Sequence, residues 1–483
     1  MVRDGKNLHR PLRRADSGSL WSRRAATQAL IGGLIAGPGL VSMGQSRARA
    51  AAPTAALSLP KPTVVKYFTP HGGGSQDGST WQDAMPIKWL QRSFPFGEPG
   101  TAFFVGFDEK QPEPQDLGAT LARLENSGSS GNPIQLQSGY VGPDGGLRAI
   151  APEAAAVFSG GSDWTIDFAI AKRAPRAWIA LVKGASHIAI SDFRIDGTGA
   201  DGFFKFGPGA TYEDVLFRNV NARNVGRVIE TLKTSALKNV TIEDCQATGI
   251  VRGFARFWEM SDSTLRNLVL DADNQNGGIR NPCQLISLVK GSNVTFENVI
   301  LRNARNEPLA GDPPEKSYIQ GDGIVCEKYT KDITIRNCHA SNMGDGGFDL
   351  KTAGVTIEDS SAEACKFGAR IWAQADNSIR RCSFKSPRPV AHFTSGCVQA
   401  AGRVEIVDTT MEVGPGTVAI HLRQIPKHGV PTVEMTGGSI NLHEGARLAV
   451  GNGILDLKNV AINGEMKTQR LDLQGGGAEQ DAD

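Results

Sequence analysis

Alternating apolar and polar positions form a phrase that recurs in the chain from residue 188 onward. Each copy reads apolar, any residue, apolar, any residue, Asn or Asp, and then a small or apolar residue, as in IAISDF at 188–193 and VTIEDC at 240–245. A period of two with many β-branched residues predicts β-strands with one buried face. We call the second apolar position of each copy the marker. The markers are Ile190, Phe217, Ile242, Leu265, Phe296, Ile335, Ile357, Ile379, Ile406, Met435 and Leu457.

The spacing of the markers indicates a solenoid. Successive markers lie 22 to 39 residues apart, and several intervals equal the minimum of 22. A rung of fixed length whose loops vary in length produces such intervals. Helix-period segments of about 10 to 15 residues are absent between the copies, so βαβ units are not expected. The sequence therefore predicts an all-β parallel β-helix of about 11 or more coils, with strands stacked about 4.8 Å apart.

The residue two positions after the marker predicts the turn that ends each strand. It is Asn or Asp in nine of the eleven copies, and the exceptions are Arg381 and Gly437. Asn and Asp tolerate the left-handed conformation, and their side chains can bond turn backbone. Cys245, Cys338 and Cys382 occupy the next, inward position. We therefore expect the seven cysteines to be small core residues rather than disulfide partners or zinc ligands.

The first 50 residues have the composition of an export signal. Adjacent arginines at 23–24 precede a mildly apolar stretch at 25–43 and a small-residue cleavage site ending at residue 50, which predicts a removed twin-arginine leader; an uncleaved anchor is the alternative. The remaining chain keeps 43 basic and 48 acidic residues, so no broad cationic surface for nucleic acid is expected. We expect a periplasmic or secreted bacterial protein that is a monomer and has no membrane span after the leader is removed. If its ligand is an anionic polymer, the ligand must bind at a local basic patch or through a bridging cation.

Over about residues 61–465 the chain resembles the pectin-lyase-like superfamily of right-handed parallel β-helix proteins. The repeat carries the resemblance, and KYFTPHGGGSQDGSTWQDA at 66–84 and NSGSSGNPIQLQSG at 126–139 are similar to the opening of secreted polysaccharide lyases. The resemblance implies a right-handed helix, one domain at 61–465 and a short capping helix at 81–94. Residues 51–60 are then a linker, and 466–483 a disordered tail with little to bury. Lyases, hydrolases, epimerases and non-catalytic surface proteins share this fold, so the fold leaves the function open.

Two similar segments, GDGIVCEK at 321–328 and GDGGFDLK at 344–351, precede marked strands. Glu327 and Asp349 each lie eight residues before a marker, so we expect them to be stacked neighbours. Arg370, nine residues before a marker, joins them if one turn residue is added. Phe348 and Leu350 are expected to face the core, so the residues that alternate with them along the strand should face solvent. The predicted external cluster consists of Asp322, Glu327, Asp345, Asp349, Lys351 and Arg370, with Trp372 and Lys328 at its edge. An insertion at 306–320 is expected to build one wall of a groove.

This cluster contains the residue types for β-elimination from a uronic acid polymer. Elimination needs neutralisation of the sugar carboxylate, a base and an acid. We expect Lys351, Arg370 and Asp349 to be catalytic, where a Lys or Arg base needs a lowered pKa. Calcium held by Asp322, Glu327 and Asp349 would neutralise the sugar carboxylate. Trp372, Lys328 and Asp345 are the predicted substrate-binding residues.

Three other functions fit the same residues. Hydrolysis needs two carboxyl groups, one of them protonated, and Asp345 with Asp349 or Glu327 with Asp349 could supply them. A uronate epimerase on the same face is a related alternative. A non-catalytic protein that binds polysaccharide is the third, because Gly-Asp-Gly is also common turn chemistry. The sequence favours an acidic-polysaccharide lyase.

Overall fold

The computed structural model describes most of the predicted domain. The described residues are 59–90, 97–107, 115–116, 122–141, 147–148, 158–159, 179–196, 201–279, 282–308, 318–374, 376–390, 392–426 and 428–475. They belong to one compact unit, 51–483. The predicted leader and residues 51–58 of the predicted linker lie outside them. No helix within these ranges is long and apolar enough to cross a membrane.

The eleven markers lie in one column of parallel strands. Ile190 pairs with Phe217, and each later marker pairs with the next as far as Leu457. The predicted stacking of the repeats is therefore confirmed. We call this column ladder A. Its strands are β1 (Val64–Thr69), β3 (Thr101–Phe107), β6 (Ile134–Val141), β10 (Ile188–Ser191), β14 (Val215–Arg218), β18 (Thr241–Glu243), β25 (Ala353–Glu358), β28 (Asn377–Arg380), β31 (Arg403–Val407) and β34 (Thr432–Thr436).

Two further columns of parallel strands complete the coils, with ladder C before ladder A along the chain and ladder B after it. Ladder B consists of β4 (Gln115–Asp116), β8 (Phe158–Ser159), β11 (Arg194–Asp196), β15 (Asn221–Arg223), β19 (Gln246–Thr248), β23 (His339–Ser341), β26 (Ser361–Glu363), β29 (Ser383–Lys385), β32 (Thr410–Val413) and β35 (Ser439–Leu442). Ladder C consists of β5 (Ala122–Leu124), β9 (Ile179–Leu181), β12 (Asp201–Phe206), β16 (Arg227–Thr231), β24 (Gly346–Leu350), β27 (Phe367–Ile371), β30 (Gly396–Ala400), β33 (Val418–Leu422) and β36 (Arg447–Gly451).

Four longer strands continue from one ladder into the next. β20 (Gly253–Asp271) and β21 (Gln284–Arg302) begin in ladder C and continue through ladder A into ladder B. β22 (Asp322–Arg336) runs from ladder C into ladder A, and β37 (Gly453–Ile462) joins ladders A and B. The other strands are β2 (Met85–Pro86), β7 (Leu147–Arg148), β13 (Thr211–Glu213), β17 (Ala236–Lys238) and β38 (Glu465–Leu473).

Apolar side chains from the three ladders fill the interior of the helix. All eleven markers are buried. The seven cysteines are also buried, which confirms that they are core residues, and all seven are free. Burial raises the pKa of Cys245 to about 12, so its thiol stays protonated and unreactive.

Asn and Asp residues form the predicted ladder in the turn after each marked strand. All eleven residues at this position have positive φ, including Arg381 and Gly437. Side chains of successive turns also bond to each other, as when Asn219 donates to Asp192 at 2.8 Å. Two more turns repeat this chemistry at positions that the phrase does not mark. Their positive-φ residues include Asp214, Asn239, Asp262, Asn293 and Asp332 in one turn, and Asn224, Asn303 and Asn342 in the other.

The N-terminal end of the helix is covered differently from the prediction. The expected capping helix at 81–94 is not supported: β2 occupies Met85–Pro86, and a single 3-10 turn follows at Ile87–Trp89. Residues 91–96 lie outside the described residues. Pro86 is extended and pairs with β1, which prevents a helix from beginning earlier. Ile87 and Leu90 are nevertheless buried, so the short turn covers part of the first coil.

The C-terminal end contains a strand where the sequence predicts a disordered tail. β38 pairs with β37 in the antiparallel direction after a turn at Asn463 and Gly464, both with positive φ. Such a pair forms the tight turn of a hairpin. β38 is rich in charged and polar residues and was therefore not recognised by its pattern. Residues 476–483 of the predicted tail lie outside the described part of the chain.

Candidate active site

The two Gly-Asp-Gly segments lie on neighbouring coils of ladder C. β22 carries the first and β24 the second, and Ile324 pairs with Phe348. Asp349 pairs with Arg370 of β27 on the next coil. Phe348 and Leu350 are fully buried in the core, as predicted. The expected stacking of Asp349 with Arg370 is therefore confirmed.

Glu327 does not stack on Asp349, so this part of the prediction is wrong. Val325 occupies that position, and Glu327 lies beside Lys351 instead. The corner that follows Cys326 contains two more residues than the matching corner of the next coil, and counting back from the marker misses this difference. Glu327 still belongs to the cluster, because the Lys351 ammonium lies 3.3 Å from its carboxylate.

Most of the predicted external cluster is buried. Relative exposure is at most 7% for four members, which are Asp322, Asp345, Asp349 and Arg370. The prediction that these residues face solvent is therefore wrong. The side chains of Glu327 and Lys351 are 32% and 36% exposed, so the cluster opens to solvent at the corner where ladder C ends.

Two irregular segments bury the aspartates. Tyr318, at the end of the insertion that was predicted to form a wall, donates a hydrogen bond to Asp345 Oδ2 at 3.2 Å. Phe393 packs on Tyr318 with ring centroids 4.8 Å apart. The Lys366 ammonium lies over both rings, 4.1 and 4.8 Å from their centroids. Residues 309–317 of the insertion lie outside the described residues.

Asp345 is held as an anion by cations around it. Arg370 Nη1 lies 2.7 Å from Oδ2, and Lys366 Nζ lies 3.8 Å from Oδ1. Burial works against the ionised carboxylate, but Arg370 and Lys366 outweigh burial and lower the pKa of Asp345 below its ordinary value. Asp345 was predicted to bind substrate; its burial and pairing indicate instead that it positions Arg370.

Asp322 has the opposite electrostatic environment. Burial, together with the negative charges of Asp345 and Asp349, raises the pKa of Asp322 well above its ordinary value. Its Oδ1 accepts a hydrogen bond from the Gly346 N–H at 2.8 Å. A Cβ atom on Gly346 would lie 3.3 Å from Asp322 Oδ1 and 3.2 Å from Asp349 Cβ, so the glycine lets the two aspartates approach each other. Asp322 is therefore a buried carboxyl group that favours its protonated form.

Asp349 connects the buried aspartates to the open corner. Its Oδ1 accepts a hydrogen bond from Trp372 Nε1 at 2.5 Å. Its Oδ2 lies 3.9 Å from the Lys351 ammonium, and Arg370 Nε lies 4.0 Å from Oδ1. Asp322 and Asp349, whose environments differ, thus lie on adjacent coils, and Asp349 is the one close to the partly exposed Lys351.

Lys351 and Arg370 do not have the lowered pKa that a catalytic base needs. Burial opposes the charge on Lys351, but Asp349 and Glu327 outweigh burial and raise its pKa above the ordinary value. The pKa of Arg370 is also raised, because Asp345 and Asp349 outweigh its burial. Both side chains are cations at neutral pH. These raised pKa values do not favour the expectation that one of them abstracts a proton, which stays a prediction.

The predicted calcium ligands do not form a calcium site as they are arranged. Lys351 bridges Glu327 and Asp349, so an ammonium group lies where a shared cation would bind. Asp322 is directed to the Gly346 N–H, and its raised pKa disfavours the ionised form that calcium requires. No group of three or more His, Cys, Asp or Glu residues in the described ranges could hold a metal ion. We therefore derive no catalytic step through calcium.

The two predicted substrate-binding residues at the edge of the cluster remain partly accessible. The faces of the Trp372 ring are shared with arginines, because the guanidinium carbons of Arg370 and Arg423 lie 4.6 and 4.7 Å from its centroid. Lys328 is exposed and its ammonium lies 5.0 Å from the centroid of the Tyr329 ring. A sugar that stacks on Trp372 would therefore also meet guanidinium groups.

Tyr318, Lys366 and Arg423 are site residues that sequence reasoning missed. Lys366 immediately precedes Phe367, which pairs with Gly346, so counting along the coils would have placed Lys366 beside Asp345. Tyr318 gave no such signal because it lies in an insertion without periodicity.

A family model supports the fold assignment. Residues 229–411 match the model described as right handed beta helix region, which confirms the predicted handedness for that stretch. The resemblance to right-handed β-helix proteins is thus confirmed at the level of the fold. No curated protein matches the chain.

Several solved structures are similar to this chain in fold. The GH136 lacto-N-biosidase from Eubacterium ramulus has a TM-score of 0.45 at 11% identity, covering 82% of this chain and 67% of that one. The pectate lyase Pel9A has a TM-score of 0.40 at 12% identity, covering 67% and 76%. The polygalacturonase from Erwinia carotovora ssp. carotovora has a TM-score of 0.36 at 12% identity, covering 87% and 99%. At these values the activities of those proteins are not assigned to this chain.

Proposed function

We propose that this right-handed parallel β-helix protein is a carbohydrate-active enzyme that cleaves glycosidic bonds in an acidic polysaccharide. One observation carries the proposal: Asp322, Asp345 and Asp349 converge on adjacent coils beside a corner where Lys351 and Trp372 are accessible. Buried carboxyl groups with opposed pKa shifts are costly to a fold and are typical of acid–base sites. The exposed ammonium suits a sugar that carries a carboxylate.

Hydrolysis is the reaction that these environments favour. It needs one carboxyl group that protonates the leaving oxygen and one carboxylate that attacks the sugar or activates water. Asp322, with its raised pKa, is assigned the first role. Asp349, fixed by Trp372 and close to Lys351, is assigned the second. Asp345 positions Arg370 and adds the negative charge that keeps the proton on Asp322.

β-Elimination is the second candidate because one observation favours it. The Lys351 ammonium is partly exposed and can neutralise the carboxylate of a uronic acid without a metal ion. Elimination also needs a base for the C5 proton, however, and the cationic side chains of Lys351 and Arg370 cannot serve. Epimerisation at C5 has the same requirement. We therefore place hydrolysis ahead of both.

Product analysis on a panel of polysaccharides tests the proposal. The purified protein is incubated with polygalacturonate, alginate and neutral dextran, and new reducing ends and ultraviolet-absorbing unsaturated ends are measured. Reducing ends without absorbance support hydrolysis, whereas absorbance would identify elimination. Binding without either signal on any acidic polymer would leave a non-catalytic polysaccharide-binding protein and reject the enzyme.

Substitutions connect the activity to the site. Asp322→Asn and Asp349→Asn should each lower kcat about 10²- to 10⁴-fold, the usual contribution of a general acid or base. Asp359→Asn is the matched control, because Asp359 is an exposed turn residue that pairs with Arg381 in ladder A. Equal losses in all three variants would show that the effect is not specific to the cluster.

Export is part of the same proposal, since an extracellular polymer is reached only outside the cytoplasm. The twin-arginine leader predicted at 1–50 implies a periplasmic or secreted enzyme. N-terminal sequencing of protein recovered from the periplasm or medium should give a chain that begins near residue 51. Retention of a full-length chain in the cytoplasm would contradict this part.

A further inference from the structure

At one corner of the helix, the residues that occupy the equivalent position in successive coils form a single line. Each is the residue that directly follows the ladder C segment of its coil, where Phe257, Leu288, Cys326, Leu350, Ile371, Ala400 and Leu422 pair in sequence. The corner line therefore consists of Trp258, Val289, Glu327, Lys351, Trp372, Ala401 and Arg423. Strands of neighbouring coils lie about 4.8 Å apart, so Trp258 lies about 19 Å from Trp372 along the helix axis, four coils away.

Trp258 is flanked by two lysines at the far end of this line. The Lys233 and Lys290 ammonium groups each lie 5.8 Å from the centroid of its ring. Neither lysine has a carboxylate within ion-pair distance in the described part of the chain. Glu259 is exposed on the same strand and its backbone pairs in register with Lys290, but its carboxylate forms no ion pair with either lysine. Tyr329, beside Lys290 on the next coil, is 62% exposed.

Two lysines near the C-terminal end of the described chain differ from this pair because they have acidic partners. Lys458 pairs with Asp456 and Lys467 pairs with Glu465. An aromatic ring offers a flat apolar face to a sugar ring, and ammonium groups beside it pair with carboxylate or sulfate groups. The chain after residue 50 has a net negative charge, so these lysines form a local basic patch.

We propose that Lys233, Trp258 and Lys290 form a distal subsite for an anionic sugar of a polysaccharide chain that runs along the corner line. The chain would pass Tyr329 and Lys328 and reach the aspartate cluster beside Lys351 and Trp372. The link to cleavage rests on the proposed function; binding at the subsite does not. The substrate class is then a polyanionic glycan of several units rather than a short oligosaccharide.

Affinity electrophoresis tests the subsite without reference to cleavage. The protein with Asp322→Asn is run in gels that contain polygalacturonate or alginate, with dextran as the neutral polymer. Trp258→Ala, and Lys233→Ala with Lys290→Ala, should each raise the dissociation constant for one acidic polymer about tenfold, a change of about 1.4 kcal/mol. Trp258→Phe should keep most of the affinity. Lys385→Ala, an exposed lysine of ladder B, is the control and should have no effect.

The outcomes separate the two proposals. Unchanged retardation of both the tryptophan and the double lysine variant overturns the subsite, whether or not the protein cleaves the polymer. The lysines are partly or fully exposed, so the double variant should fold even if Trp258→Ala does not. If both variants lose retardation and the wild-type protein cleaves none of the polymers, the subsite is supported and the enzyme is rejected. If cleavage occurs, the variants should raise KM for the polymer and leave fragments of two or three sugars unaffected, because these cannot span the distance.

Discussion

The outer faces of ladders A and C both carry charged residues in register. Ladder A buries Glu243 between Arg218 and Arg266, but from Glu297 onward its acid–base row is partly exposed, whereas the charged residues of ladder C around Asp345 are buried. On ladder A, Arg336 lies 3.8 Å from Glu297 and 3.7 Å from Glu358, and all three side chains are at least one quarter exposed. On ladder C, Arg370 lies 2.7 Å from Asp345, with side chains 8% and 10% exposed. Exposed pairs are screened and contribute little, whereas buried ones are expensive to form and more expensive to break.

The difference teaches where chemistry can be expected in a repeating fold. Ladder A alternates acid and base from coil to coil, so each charge is compensated by its neighbours. In ladder C three aspartates share two adjacent coils. Burial and the neighbouring aspartates raise the pKa of Asp322, whereas Arg370 and Lys366 lower that of Asp345. Such an arrangement is costly to a fold and is typical of functional sites, which is why we propose that the reaction occurs there.

The largest expected effect comes from breaking a buried pair on ladder C. Asp345→Asn leaves Arg370 and Lys366 as buried cations without their shared anion. We expect the free energy of unfolding to fall by about 3–5 kcal/mol. Urea denaturation at pH 7 measures it. A loss similar to that of an exposed pair would remove the distinction between the two faces.

The pH dependence of Asp322 sharpens the comparison. Its folded pKa is raised above the unfolded value of about 3.9, so its contribution to stability is complete below that value and is lost as pH rises through the folded pKa. Asp322→Asn removes this loss. In that range the free energy of unfolding of the variant should rise relative to that of the wild type by up to about 1.4 kcal/mol per pH unit. Denaturation of both proteins between pH 4 and 8 measures this difference. A difference in the free energy of unfolding that stays constant over this range would contradict the assignment of Asp322 as a buried acid.

The environment of Lys351 is intermediate between the buried pairs of ladder C and the exposed pairs of ladder A. The side chain is partly exposed, so Lys351→Gln should change stability by less than about 1 kcal/mol. If its ammonium binds the sugar carboxylate, KM for an acidic polymer should rise about tenfold, since a hydrogen bond to a charged group contributes about 1.5–3 kcal/mol. Lys351→Arg should retain part of the affinity. A fall in kcat at constant KM would assign the lysine to the chemical step instead.

The smallest effect is expected on ladder A. Glu405→Gln removes one partner of Arg380, in a pair whose side chains are 39% and 51% exposed. The free energy of unfolding should change by no more than about 1 kcal/mol, and less at high salt. A loss comparable to that of Asp345→Asn would mean that register, rather than burial, governs the energy of these ladders.

The part of the fold that depends on the repeated phrase was predictable from the sequence. Apolar alternation placed every marker in ladder A, and the Asn or Asp after it identified the left-handed turn. The phrase does not extend to the corners. Two additional residues after Cys326 therefore moved Glu327 away from Asp349 without a signal in the pattern.

The types of the site residues were predictable, but not their environments. Asp322, Asp345, Asp349 and Arg370 were identified as a group. Their burial depends on Tyr318 and Phe393, which come from irregular segments whose path no periodicity specifies. The pKa of a carboxyl group depends on such surroundings, so the sequence pattern alone does not specify the roles of the lysine, the arginine and the aspartates.

The reversed strand at the C-terminus has a consequence for association between molecules. A stack of parallel rungs that ended openly would offer the next copy an edge of matching direction and would invite growth into fibres. β38 runs against that direction, and Glu465, Lys467, Arg470 and Asp472 along it are well exposed. The last described rung therefore ends in a charged antiparallel strand, which disfavours edge-to-edge pairing with another copy.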